Sequence, residues 1–184
     1  MVLLALQPGD VLCLKHFASM RKTKNAVELG TFLGDGTSIL APYVEKITTI
    51  DIFEDTSLIV NEVWRKFYTD YYNEHPHSYE IVKKLLSKFR NVNVVRGLTF
   101  ETAKTFEDNS VDFLFIDADH SYEGCKQDFD FWFPKIMRGG LILIHDCEPS
   151  HPGPYKFSTE LKSNKLIKEL SPRPGSSITT WEKI

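Results

Sequence analysis

Two stretches of the sequence carry residue types able to do chemistry. The first is Val27-Glu-Leu-Gly-Thr-Phe-Leu-Gly-Asp-Gly-Thr37, with Gly30, Gly34 and Gly36 around a chain reversal. Glycines let a ligand come close to the backbone, and a helix opening near Gly36-Thr37 offers free N–H groups to an anion. The spacing is not a dinucleotide fingerprint, because a Gly-x-Gly-x-x-Gly frame opened at Gly34 ends on Ile39. No Gly-Lys-Ser/Thr follows, so a phosphate-cradling P-loop is excluded too. What stands is Glu-x-Gly-x-x-x-Gly-x-Gly, and its acid, Glu28, suits a ligand with a cationic group. Asp51 lies about 20 residues beyond Gly30, where a carboxylate closing the next strand can hold two ribose hydroxyls. Alone, Asp51 would also fit a surface or helix-capping role; loop and acid together point to a nucleoside.

The second stretch is split between Asp117-Ala-Asp-His120 and His145-Asp146. Each follows an apolar run, so both leave strand tips, and adjacent parallel strands put them on one edge. A histidine titrating near neutrality is suited to general-base work. The plainer reading of His120 places it before a helix capped by Asp119 or Ser121. His16, His75, His77 and His151 stand alone and read as solvent or loop residues.

The elements that must position these groups alternate. Short apolar runs at Ala26–Gly30, Ile47–Ile52, Val92–Val95, Val111–Ile116 and Leu141–Ile144 read as buried strands. The last is entered through Gly139-Gly140. Thr37–Val44 and Tyr122–Met137 carry helical patterns, and Tyr155–Ser163 fits a short helix. Lys165–Leu170 and Ser177–Trp181 flank Ser171-Pro-Arg-Pro-Gly175 and read as a terminal antiparallel hairpin at the sheet's edge. The expected fold is α/β: one Rossmann-like, doubly wound domain over 1–184, with a seven-stranded, mostly parallel sheet ending in that hairpin.

Residues 52–91 exceed what a strand connection requires and read as a helical insertion between strands two and three. Trp64, Phe67, Tyr68, Tyr71 and Tyr72 fall on one helical face, and a second helix spans about Tyr79–Phe89. The plainer reading packs this stripe on the sheet or on a second subunit; the sharper one makes it a lid over a substrate pocket.

Composition narrows the class. A net charge of -3 removes the electrostatic footprint of a duplex-binding protein. Cys13, Cys125 and Cys147 are odd in number and lack metal spacing, so they read as thiols of a reducing compartment. Met1–Leu6 has no basic region before it and is closed by Gln7-Pro8-Gly9-Asp10, unlike a signal peptide. No run reaches the roughly 20 apolar residues of a membrane span. A cytoplasmic protein without membrane or nucleic-acid partners is expected, with room for a homodimer.

With these residues assembled, the sequence resembles the class I S-adenosylmethionine-dependent methyltransferases. Glu28, Gly30, Gly34 and Gly36 look like their first motif and Asp51 like their ribose acid. Asp117-Ala-Asp-His-Ser-Tyr-Glu-Gly124, Gly139-Gly140 and His145-Asp146 look like the small-molecule O-methyltransferase branch, near its cephalosporin hydroxylase-like, macrolide, rhamnosyl and catechol types. The resemblance covers essentially the whole chain. It implies that Glu28 faces the methionine amine or sulfonium and that the backbone from Gly30 through Thr31 to Gly34 wraps the methionine end. Asp51 would hold the ribose, Gly97 and Thr99 would lie by the adenine, and Asp117 would join the cofactor-binding set. The acceptor would be a hydroxyl of a sugar, natural product or catechol-like molecule.

Methyl transfer is an in-line displacement, so the protein mainly aligns an acceptor oxygen and removes its proton. His120 and His145 are the candidate bases. Mg²⁺ held by Asp117 and Asp146 is the alternative means of acidifying the hydroxyl. Catechol-type enzymes end the fifth strand in Asp-Asn where this chain has His145-Asp146. Competing readings are a catalytically silent binding module on the same fold and an NAD-type oxidoreductase, which the glycine spacing disfavours. A nucleic-acid methyltransferase lacks support, because Asp-Ala-Asp-His stands where Asn/Asp-Pro-Pro-Tyr/Phe would be.

Overall fold

The computed structural model describes residues 6–59, 62–76, 78–171 and 173–184. The elements run α1 (Pro8–Ser19), β1 (Ala26–Leu29), α2 (Asp35–Leu40), β2 (Ile47–Asp51), α3 (Glu62–Glu74), α4 (Ser78–Leu86) and β3 (Val92–Arg96). They continue with α5 (Thr99–Ala103), β4 (Val111–Ile116), α6 (Tyr122–Trp132), β5 (Ile136–Ile144), α7 (Pro152–Leu161), β6 (Ile167–Glu169) and β7 (Thr179–Lys183). The seven strands form one sheet in the order β3-β2-β1-β4-β5-β7-β6. β1 to β5 are parallel, and β7 runs antiparallel between β5 and β6. The expected architecture is therefore the one observed.

Strand alternation sorts the side chains into two layers. Val27, Leu114, Ile142 and Ile144 face one way, against Phe129 and Trp132 of α6 and Phe157 of α7. Phe113, Phe115, Leu141 and Leu143 face the other way, against Leu14 and Phe17 of α1 and Leu40 of α2. The same period carries past the strand tips. His145, two beyond Leu143, and Asp117, two beyond Phe115, stand over the layer that α1 covers.

Several boundaries differ from expectation. Gln7-Pro8-Gly9-Asp10 does not close an apolar segment but opens α1, with a proline in the first turn and Asp10 Oδ2 accepting from the Gln7 backbone N–H at 3.2 Å. Residues 1–5 and His77 lie outside the described residues. Pro134 ends α6 early, in a 3-10 turn at Phe133–Lys135, so β5 begins at Ile136 and Gly139-Gly140 lie inside it. Leu98 holds the capping position of α5, and the Thr99 hydroxyl donates to Asp128. No described helix is long and apolar enough to cross a membrane.

Candidate active site

The sheet order reverses between β1 and β4, and ligands of open α/β sheets bind outside the carboxyl ends of the strands at such a point. There the strand tips and α3 enclose a cavity of about 200 Å³. Of the residues expected to hold a cofactor, Gly30, Asp51, Gly97, Thr99 and Asp117 line it, as does His120. At Gly30, φ is +90°, and a Cβ would stand 1.9 Å from the Asp117 carbonyl oxygen. Only glycine lets the tips of β1 and β4 come this close.

Asp51 is held by the loop it was expected to serve. Its Oδ2 accepts from the Phe32 N–H at 2.8 Å and its Oδ1 from the Phe53 N–H at 2.7 Å. Burial nevertheless keeps its carboxyl above the usual range, outweighing the backbone donors. The Thr31 N–H is a further backbone donor to this carboxyl, and part of its acceptor capacity stays free.

Glu28 requires a correction. It is 1% exposed, does not line the cavity, and lies on the α2 side of the sheet. Its Oε2 accepts from the Thr37 hydroxyl and, at 2.7 Å, from Thr49 Oγ1. Gly36 packs directly on the carboxyl group. Burial pushes the Glu28 carboxyl up to about 8, so at neutral pH it is a neutral acid beneath the glycine loop. Thr31 is also buried, its hydroxyl 2.6 Å from that of Thr49, and Gly34 packs on Leu86. Thr31, Gly34 and Gly36 thus shape the loop from behind and do not face the cavity.

At the far end the acids and histidines converge. His145 Nδ1 lies 2.9 Å from Asp117 Oδ1, and its Nε2 lies 3.2 Å from Asp10 Oδ2. Burial alone would lower the His145 pKa, but the Asp117 charge and the bonds to both carboxylates push it up to about 11. His145 is therefore an imidazolium with both N–H groups spent. That excludes it as a base. His120 Nε2 lies 3.4 Å from Asp117 Oδ1 and 3.6 Å from Asp146 Oδ2. Burial opposes its charge, yet the bond to Asp117 and the Asp117 and Asp146 charges leave its pKa raised. Asp146 takes φ +54°, an uncommon conformation for a non-glycine residue.

Three participants were not expected. Asp10 is fully buried, and its Oδ1 accepts from the Ser177 N–H at 2.8 Å and from Ser176 Oγ at 2.9 Å. His151 is not solitary: its Nε2 stands 3.5 Å from Asp146 Oδ2. Asp128 lines the cavity beside Thr99, with its carboxyl pushed up by burial to about 7. A charged residue at the apolar spacing of Cys125, Phe129 and Trp132 was the available signal. Trp64, Tyr68 and Tyr72 of the aromatic stripe line the cavity, with Tyr68 against Phe32 at 6.1 Å and Trp64 edge-on to His120 at 5.7 Å.

A protein-family model described as a methyltransferase domain matches residues 27–147. An uncharacterized protein of Acanthamoeba polyphaga mimivirus is 24% identical over 146 residues, which is 78% of this chain and 59% of that protein. The O-methyltransferase TomG of Streptomyces achromogenes, solved in complex with SAM, superposes with a TM-score of 0.62 at 14% identity, covering 98% of this chain and 82% of that one. SAH-bound PaMTH1, a methyltransferase of Podospora anserina, gives a TM-score of 0.67 at 16% identity, covering 95% and 77%. The chain spans 59% of the length of that mimiviral protein and 10% of that of another curated relative, an uncharacterized protein of Sinorhizobium fredii.

Proposed function

The chain belongs to the methyltransferase-domain family, and from that premise we propose that it transfers a methyl group from S-adenosylmethionine to a hydroxyl of a small molecule bound beside His120. One observation carries the reading. A single cavity joins the Asp51 carboxylate at one end to Asp117 and His120 at the other. The first suits a ribose, and the second suits a proton in transit.

S-adenosylmethionine, when bound, supplies a methyl carbon already activated by a positive sulfur. The chain's own residues do the rest. Asp51 offers its remaining acceptor capacity to the ribose hydroxyls, and the Phe32 and Phe53 N–H groups fix its orientation. Gly97, Thr99 and Asp128 bound the adenine end, where the Thr99 hydroxyl donates to Asp128. His120 takes the acceptor's proton. Asp117 accepts from its Nε2–H and leaves Nδ1 as the basic nitrogen. His145, charged and clamped between Asp10 and Asp117, holds Asp117 in place. α3 covers the cavity with Trp64, Tyr68 and Tyr72, which suits a lid that excludes water.

Mg²⁺ at Asp117 and Asp146 does not fit. Mg²⁺ asks for an oxygen shell, whereas Asp117 Oδ1 is already 2.9 Å from the His145 imidazolium and Asp146 Oδ2 faces the imidazoles of His120 and His151. No step is assigned to Mg²⁺.

The test is calorimetric titration with S-adenosylmethionine and S-adenosylhomocysteine, with NAD as control. Micromolar binding of the first two and none of NAD is expected. Absence of binding by both would overturn the reading in favour of a silent module.

A further inference from the structure

We propose that His120, Asp146 and His151 form a site for one borderline transition-metal cation of the Zn²⁺ class, open on one side to the groove between α3 and α7. The three side chains arrive from different segments: the turn before α6, the tip of β5 and the residue preceding α7. Their ligand atoms lie within 4.8 Å of one another.

The distances separate this cluster from its neighbour. Asp117 and His145 meet at 2.9 Å, a hydrogen bond that leaves no space for an ion. Around Asp146 Oδ2, by contrast, His120 Nε2 stands at 3.6 Å and His151 Nε2 at 3.5 Å. These lie at or past the limit of a hydrogen bond. They match the roughly 3.3 Å between adjacent ligands of a tetrahedral ion with bonds of about 2.0–2.1 Å.

The tautomer of His151 points the same way. Ser150 Oγ donates its one hydrogen to Glu148 Oε1 at 2.9 Å, so at its 3.1 Å contact with His151 Nδ1 it must accept. Nδ1 therefore donates to Ser150, and Nε2 is the ring nitrogen that faces Asp146 Oδ2 and is placed to bind a cation there. A hydrogen-bonded outer partner fixing the ring is also what metal-bound histidines have.

Backbone geometry holds His151 in reach. At Gly153, in the first turn of α7, a Cβ would lie 2.3 Å from the His120 carbonyl oxygen. Any side chain there would push α7 off the 120–122 segment and take His151 with it. The cluster opens onto a groove lined by Trp64, Tyr122, Ser150 and Lys156, leaving the open position of a catalytic metal site. Two nitrogens and one oxygen suit Zn²⁺, Mn²⁺ or Fe²⁺ over Mg²⁺.

The binding claim stands apart from methyl transfer. What the ion would do, lowering the pKa of a coordinated acceptor hydroxyl, rests on that reading. When the site is filled, His120 serves as a ligand; when chelation empties it, His120 is the base.

The experiment uses chelator-treated full-length protein. Zn²⁺ is titrated by calorimetry and Co²⁺ by visible absorption, with S-adenosylhomocysteine titrated on the same samples. One saturable Zn²⁺ site, Co²⁺ bands of four- or five-coordinate strength and weak Mg²⁺ binding are expected. His151→Ala and Asp146→Asn should each weaken Zn²⁺ at least roughly tenfold and abolish the Co²⁺ bands. His151 is one-third exposed, so its replacement should leave the fold intact. No saturable Zn²⁺ site in the wild type, or wild-type Zn²⁺ affinity in both variants, would overturn the proposal. Zn²⁺ binding without S-adenosylhomocysteine binding would count against methyl transfer alone.

Discussion

Asp10 Oδ2 lies 3.2 Å from His145 Nε2, joining residues 135 positions apart in the chain. The contact ties the first described helix to the tip of the strand that carries Asp146. Burial raises the Asp10 carboxyl, but the bonds from His145 and Ser176, the His145 charge and the Ser177 N–H bring it to about 2. Its contribution to stability is fully present above the ordinary carboxylate range and lost as pH falls through that lowered value. The contribution of His145, with a raised pKa, is fully present below its ordinary 6.5 and declines as pH rises to about 11. Asp10→Ala should cost about 3–5 kcal/mol, the penalty for orphaning a buried charge. The urea midpoint checks it, and an unchanged midpoint would deny the pair any structural role.

Asp51→Asn keeps the size of the side chain and removes its charge. S-adenosylhomocysteine affinity should fall at least tenfold, in line with about 1.5–3 kcal/mol for hydrogen bonds to a charged group. Calorimetry reads it directly. Wild-type affinity would take Asp51 out of the ribose role.

His120→Ala should leave S-adenosylhomocysteine affinity near wild type. In chelator-treated protein it should lower turnover by roughly 10²–10⁴. There the wild-type rate should rise with pH through a midpoint above the ordinary histidine value of 6.5, because the raised pKa keeps His120 protonated to higher pH. A profile flat from pH 6 to 9 would remove His120 as the base.

Glu28 gives a stability signature instead. Its folded pKa of about 8 exceeds the ordinary 4.5, so the folded protein binds the extra proton between those values. The Glu28 contribution is therefore fully present below 4.5 and declines as pH rises to about 8, at up to about 1.4 kcal/mol per unit. Glu28→Gln should flatten that decline, and melting temperatures of both proteins across pH 5–9 show it. Parallel curves would mean that Glu28 is ionised in the folded state.

The sheet was legible because each central strand is a short apolar run and each tip residue of interest follows one directly. Asp51 and the Gly30 turn could be read together, since their separation is set by one helix and one strand. Glu28 was misplaced because the motif shows that an acid is present but not that strand alternation turns it toward α2. His151 was dismissed for standing alone in sequence, although α7 folds back onto the 120–122 segment. Asp10 was hidden because its partners, His145 and Ser176-Ser177, lie on distant strands and turns that no local pattern connects to it.

The interleaving of β7 between β5 and β6 bears on how the protein is made. β6 emerges from synthesis before β7, which supplies the only neighbour it pairs with among the described strands. The turn leading into β7 also brings Ser176 and Ser177 to Asp10. A nascent chain short of residue 176 therefore holds the glycine loop and Asp51 but has an unfinished clamp around His145. The Asp10–His145 contact is therefore braced only once the turn before β7 has been made.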